Sequence, residues 1–311
     1  MAGVAARSHA ADWPVRPVRI LLAYPPGGST DVLARALADR LGTVFPGPGF
    51  VVENRPGGAA VVGTQAAAAA AADGYTLTLG NNQTHAANAA MVRGLPYRPV
   101  EDFAPIGRLA DVHHALVVPA ASPSRTLADL VERGRGGAAL AYASSSVGSA
   151  SHVIAESFAR REGFAATHVP YRGGAQATAD TIAGVVDFFV STWPQVAALV
   201  REGRLRCFGI GAPARLAEAP RVPTFDEAGT PYMAVDAWFG LFAPAGTPPG
   251  IVSVLSEALP RILAEPDFAA RLAGLGYRPA PLPAAEFAAF QRSEVARWSA
   301  LAALTGIKLE G

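Results

Sequence analysis

The chain is predicted to fold as an α/β protein of two lobes hinged around a cleft. Three observations carry this. Short apolar β-like runs alternate with helical runs, the pattern of parallel strands joined by crossover helices. Each half of the chain places a loop of small polar residues between a strand and a helix start, at Tyr24–Asp31 and again at Ser144–Ser151. The chain order of first lobe, second lobe and return implies two crossings, and 311 residues exceed what a single core usually holds.

Val18 to Ala23 reads as the first strand. It runs into Tyr24-Pro-Pro-Gly-Gly-Ser-Thr-Asp31, a tight turn, and then into a helix from about Thr30 to Leu41. The two glycines let backbone approach a ligand closely, while Ser29, Thr30 and Asp31 can cap the helix and leave its first N–H groups outward. Such a helix start attracts anions, carboxylates above all. Phe50 to Glu53 is the second strand, and Pro56-Gly57-Gly58 a second glycine turn before a helix from about Ala59. Tyr75 to Gly80 is the third strand, followed by Asn81-Asn82-Gln83-Thr84-His85 as a polar loop. Three strand ends thus deliver polar or glycine-rich turns, the place where open α/β sheets bind ligands.

A second unit begins after His114–Pro119, whose apolar run leads into a helix cap at Ser122-Pro-Ser-Arg-Thr126. Ala139 to Ala143 is strand-like, Ser144-Ser-Ser-Val-Gly-Ser-Ala-Ser151 is a small-residue loop, and His152 to Arg161 has helical spacing. Thr167 to Pro170 is a short strand, Tyr171-Arg-Gly-Gly174 a turn before a helix to about Ile182, and Val186 to Val190 another strand. Trp238 to Ala243 crosses back to the first lobe. The remainder after Gly250 is expected to be helical, with Pro266 and Pro279 to Pro283 as breaks. Residues 13–118 and 238–311 are accordingly assigned to lobe 1 and residues 119–237 to lobe 2.

The composition is half hydrophobic and 16% charged, with net charge +1, which argues against disorder and against a nucleic-acid surface. Cys207, the one cysteine, excludes an internal disulfide and makes a zinc site improbable; it is expected as a small core side chain. No apolar run reaches the roughly 20 residues that span a bilayer. Ser8-His9-Ala10-Ala11 has the small-residue character of a secretory cleavage site without an apolar segment before it, so a signal either was removed or never existed.

Taken together, Tyr24-Pro-Pro-Gly-Gly-Ser-Thr-Asp31, Val51-Val-Glu-Asn-Arg-Pro-Gly57, Asp73-Gly-Tyr-Thr-Leu77, Asp102-Phe-Ala-Pro105, Tyr142-Ala-Ser144, His168-Val-Pro-Tyr-Arg-Gly173 and Trp238-Phe-Gly-Leu-Phe-Ala-Pro-Ala-Gly-Thr-Pro248 resemble the Bug family. These are extracytoplasmic solute-binding proteins of tripartite tricarboxylate transporters, and the resemblance runs from about Trp13 to Ile307. It implies a type II periplasmic-binding-protein fold and a periplasmic, monomeric receptor without covalent chemistry or cofactor. It also implies a small carboxylate as ligand, such as a di- or tricarboxylate, an acidic amino acid or an aromatic acid. The partners it implies are the membrane permease subunits, with a sensor histidine kinase as the alternative. Carried over by position, one ligand carboxylate falls against Tyr24, Gly28, Ser29, Thr30, Asp31 and the loop from Asn81 to Thr84. The rest of the ligand falls against Ser145, Gly148, Ser149, Ser151, His152, Tyr171, Arg172 and Gly173. Ser191-Thr192 replaces an Asp-Asn pair of many relatives, and Trp193 beside it offers a stacking face if it points inward.

Each of these residues has a plainer role available. Asp31 beside an anion would repel it, so capping suits it better. His152 sits at a helix start and can be structural; Arg172 either forks onto a carboxylate or supports the hinge. Tyr24 and Tyr171 are placed on opposite cleft walls, His113 and His114 in hinge packing, and His85 as a further contact. A catalytic reading lacks a Gly-x-Ser-x-Gly elbow with Asp and His in order, a dinucleotide or P-loop fingerprint and paired metal carboxylates. The expectation is a binding protein, not an enzyme.

Overall fold

A computed structural model describes residues 13–310, so the Ser8–Ala11 segment lies outside the described residues. The first lobe opens with β1 (Val18–Leu22), α1 (Ser29–Val44), β2 (Phe50–Asn54), α2 (Val61–Ala68) and β3 (Thr76–Asn81). Two glycine turns connect these runs, and β1 pairs in parallel with both β2 and β3. The sheet is completed by β11 (Ala237–Pro244), β5 (Phe103–Val112) and β12 (Arg278–Pro283), in the order β12-β5-β11-β3-β1-β2. Its inner strands β3 and β11 are buried along their whole length, which is why β11 reads as a continuous apolar run, while β3 buries Thr76, Thr78 and Asn81 among its leucines.

The second lobe is a five-stranded sheet of order β10-β6-β9-β7-β8. Its strands are β6 (His114–Pro119), β7 (Leu140–Ser144), β8 (Ala166–Pro170), β9 (Phe188–Thr192) and β10 (Leu205–Ile210). Helices α4 (Leu127–Arg135), α5 (Ala150–Arg161), α6 (Gly174–Ile182) and α7 (Trp193–Arg201) alternate with them. The cap foreseen at Thr126 is a full capping box, with Thr126 Oγ1 accepting from Asp129 N–H and the Asp129 carboxylate accepting from Thr126 N–H.

Several expectations are corrected. The strand His114–Pro119, placed in lobe 1, is hydrogen-bonded antiparallel to β9 and β10, so the chain changes sheets at His113. Pro279 to Pro283 breaks the helical C-terminal run as expected, but the break is itself a strand, β12, at the edge of the sheet, where proline's missing donor is tolerated. Asn81–His85 is not an open loop: a π-helical turn, Gln83–Ala87, begins inside it and continues into α3 (Asn88–Met91). Asn81 starts that turn by accepting the N–H groups of Gln83 and Thr84 on its side-chain oxygen, at 3.0 and 3.2 Å.

Both crossings are tied at one place. His113 places Nδ1 2.8 Å from Asp236 Oδ1, and the Arg278 guanidinium reaches its Nε2 at 2.8 Å, so residues beside β6, β11 and β12 are held together. His114 Nδ1 lies 2.6 Å from the Val235 carbonyl. The C-terminal helices α8 (Pro249–Ala264), α9 (Pro266–Gly274) and α10 (Ala284–Thr305) return to the first lobe. On α10, Glu294 is buried and accepts from the indoles of Trp238 and Trp298 on one carboxylate oxygen. Among the described residues no helix is long and apolar enough to cross a membrane.

Candidate functional site

The carboxyl ends of β1, β3, β7 and β9 face one another across a crevice between the sheets. Four helices start there. Gly28, Ser149, Gly173 and Thr192, the N-caps of α1, α5, α6 and α7, all line the same cavity. The cavity has a volume of ≈ 70 Å³. The lobes approach closely at Gly173, where a Cβ would lie 2.7 Å from Pro25 of the first lobe.

The first wall comes from Tyr24, Gly28, Ser29, Thr30 and Asn81, all named from the sequence. Ser29 does not cap α1: Gly28 is its N-cap, with no side-chain cap bond. Tyr24, Asn81 and Gln83 form a relay whose polarity follows from Asn81. Its side-chain oxygen already serves two backbone donors, so its amide N–H donates to Tyr24 Oη (3.0 Å), and Tyr24 donates to Gln83 Oε1 (2.9 Å). Burial pushes the Tyr24 phenol far above its ordinary pKa, so it stays a neutral donor.

The facing wall comes from Ser145, Ser149, Ser151 and Gly173. Ser149 caps α5 by accepting from His152 N–H, and Ser151 Oγ accepts from Ser145 N–H at 3.0 Å. The serine hydroxyls thus hold the loop in shape while lining the cavity.

Other sequence candidates lie elsewhere. Asp31 is turned away from the cavity, where its carboxylate accepts from Gly27 N–H, Asn54 and both arms of Arg35. Burial opposes its charge, but these donors hold the carboxyl below its usual range. Thr84 spends its hydroxyl on Asn81 N–H and on His85 Nδ1. His85 is fully buried and stacked on Phe242 at 3.9 Å, and burial pushes its pKa down to about 3. Gly148, with φ +74°, faces Leu309 and Met91 instead. His152 accepts from Gly148 N–H on Nδ1 and stacks on His168 at 3.8 Å; burial and that neighbour bring its pKa to about 4. Tyr171 and Arg172 line a neighbouring hollow with Gly57 to Ala60, and Tyr171 donates to Asp180. Trp193 does not stack in the cleft: it is buried in the second lobe's core with its indole N–H toward Glu218.

Sequence reasoning missed His114, Gln195, Phe189, Val190, Ala237 and Phe239, which also line the cavity. They come from β6, β9, β11 and α7, and their only sequence signal was adjacency to strand ends. Ser191 and Thr192, noted only for what they replace, line it as well. No Asp, Glu, Arg or Lys is among the lining residues. Among the described residues no group of three or more His, Cys, Asp or Glu side chains is placed to hold a metal ion.

Residues 32–307 match the family model described as "Tripartite tricarboxylate transporter family receptor". The chain is 35% identical to protein BugT of Bordetella pertussis over 99% of this chain and 95% of that protein. Among solved structures it is similar to Rpa4515 of R. palustris with adipate, at 32% identity and TM-score 0.92 over 96% of this chain and 100% of that one. It is also similar to MatC of Rhodopseudomonas palustris with bound malate, at 31% identity and TM-score 0.86 over 93% and 99%.

Proposed function

The chain belongs to the tripartite tricarboxylate transporter receptor family, and from that premise we propose that it captures a small carboxylate in the periplasm and delivers it to the membrane subunits of such a transporter. The observation that carries this reading is the convergence of four helix N-termini on one cavity without a charged side chain. Each helix start presents unsatisfied N–H groups and about half a positive elementary charge. Four of them amount nominally to about two charges, the complement of a dianion. Hydroxyls and amides of Ser29, Thr30, Asn82, Ser145 and Gln195 supply further neutral hydrogen-bonding groups.

The cavity's size favours a short acid over a bulky ring. The relatives solved with adipate and malate support the same class. No group in the cavity is arranged as nucleophile, base and orienting acid, so the ligand is expected to leave unchanged. Residues 13–113 with 237–311, and residues 114–236, would close on it as lobes, the hinge lying at His113 and Asp236.

Calorimetric titration of the purified chain with succinate, malate, adipate and citrate tests the binding step. Saturable binding of at least one, weakened by Ser29→Ala, supports the assignment. If none of these acids binds, the assignment to this cavity fails. Uptake of the cognate acid in a strain lacking the gene tests delivery: uptake should be lost.

A further inference from the structure

We propose that a hollow behind the hinge sets the balance between open and closed lobes, so that a second-lobe side chain grown into it holds the lobes shut. The inference rests on the receptor reading above and adds to it a control of closure placed outside the ligand cavity.

The start of β11 borders a different void on each face. Side chains alternate along a strand, so Ala237 and Phe239 face the ligand cavity while Trp238 faces the other way. There lies a hollow of ≈ 220 Å³. Trp238 and Phe290 give it an aromatic wall from the first lobe, their rings edge to face with centroids 5.6 Å apart. Gly211 and Ala234 face that wall from the second lobe.

The charged groups around the hollow are already paired. Arg108 holds Asp111, Arg297 reaches Glu294 at 3.1 Å, and Asp236 lies 2.8 Å from His113. What the hollow offers is therefore room between two lobes, with no charge left to meet.

The lobes are closed in this structure: Gln83 donates to Ser146 across the cleft, and Gly173 leaves no space for a Cβ against Pro25. Ala237, beside the crossing, borders both voids, so the hinge runs between them. A rotation about it that opens the cleft in front carries Gly211 and Ala234 toward Trp238 and Phe290 behind. The hollow has its full width only while the lobes are shut. A group that fits it then and clashes when they part shifts the equilibrium by that difference.

Ala234 is the position at which to fill it. It is exposed and has φ −75°, so a larger side chain there strains no backbone and displaces no core atom.

The test compares the wild type with Ala234→Phe, which puts a ring in the hollow, and Ala234→Ser, which changes the same position without filling it. X-ray scattering on the unliganded chains should give a smaller radius of gyration for Ala234→Phe than for the other two. In calorimetric titrations with succinate, malate, adipate and citrate, the acid that binds the wild type should bind Ala234→Phe roughly tenfold more tightly, because a larger fraction is competent to hold it. Ala234→Ser should match the wild type. An equal or larger radius for Ala234→Phe overturns the proposal, and a smaller radius with unchanged affinity overturns its control of binding. If no acid binds the wild type the receptor reading fails, while the scattering comparison still decides whether the hollow governs closure.

Discussion

Gln83 and Ser146 join the two lobes directly: the Gln83 amide Nε2–H donates to Ser146 Oγ at 2.6 Å and also reaches the Val147 carbonyl at 3.2 Å. Both side chains are buried, and Gln83 also holds Tyr24. The same amide therefore ties a cavity residue of the first lobe to the serine loop of the second. Bonds present only when the lobes are together favour the closed arrangement. Gln83→Ala removes two such bonds, each worth about 0.5–1.5 kcal/mol, and is expected to weaken ligand binding roughly tenfold. Calorimetry on the variant measures this, and an unchanged affinity would show that the bond contributes nothing to closure.

Two serines that line the cavity should behave differently when truncated. Ser29 has no side-chain bond within the protein, so Ser29→Ala should cost ligand affinity alone, about ten- to a hundredfold if it donates to a carboxylate. Ser149 caps α5, and Ser149→Ala should in addition lose about 0.5–2 kcal/mol of stability. A melting temperature that falls for Ser149→Ala and holds for Ser29→Ala is the expected pattern.

The buried histidines predict acid sensitivity. Burial lowers the pKa of His85 to about 3 and of His152 to about 4, and it depresses His114 and His168 as well. These folded-state values lie below the unfolded value of about 6.5, so the unfolded chain binds protons first as pH falls. Stability is then fully present above about pH 6.5 and is lost progressively toward about pH 3. Urea melts stepped through that range should show the decline, and His85→Phe should make it shallower. A flat profile in the wild type contradicts the neutral, buried state of these rings.

Gly63 sits where α2 crosses β1. A Cβ there would lie 2.6 Å from both Ala23 Cα and the Arg55 carbonyl oxygen, and main-chain atoms cannot swing aside. Gly63→Ala should therefore push the helix off the sheet at a cost of about 1–3 kcal/mol. A scanning-calorimetry melting temperature lower by several degrees is expected, and an equal one would mean that the interface yields.

What could be read in the chain was local. The turns at Tyr24–Asp31 and Ser144–Ser151 and the cap at Thr126 are specified by residues a few positions apart, so glycine, serine and proline reveal them without knowledge of the fold. β12 escaped because its prolines look like breaks until an edge position exempts them. Trp193 and His85 look like ligand-facing groups by composition, yet each is buried against its own lobe.

By itself the sequence determined the α/β alternation, the small-residue helix starts and the family. Only tertiary structure decided that three of those starts, at Gly28, Ser149 and Gly173, meet a fourth at Thr192 that the sequence had not marked. It also decided that Asp31, Thr84, His152, Tyr171 and Arg172 turn elsewhere, and that His114, Gln195 and Phe239 join the cavity from distant segments. The reason is physical. A helix start is fixed by hydrogen bonds within a few residues, whereas the direction of a polar side chain depends on whether its partners arrive from its own loop or from the opposite lobe.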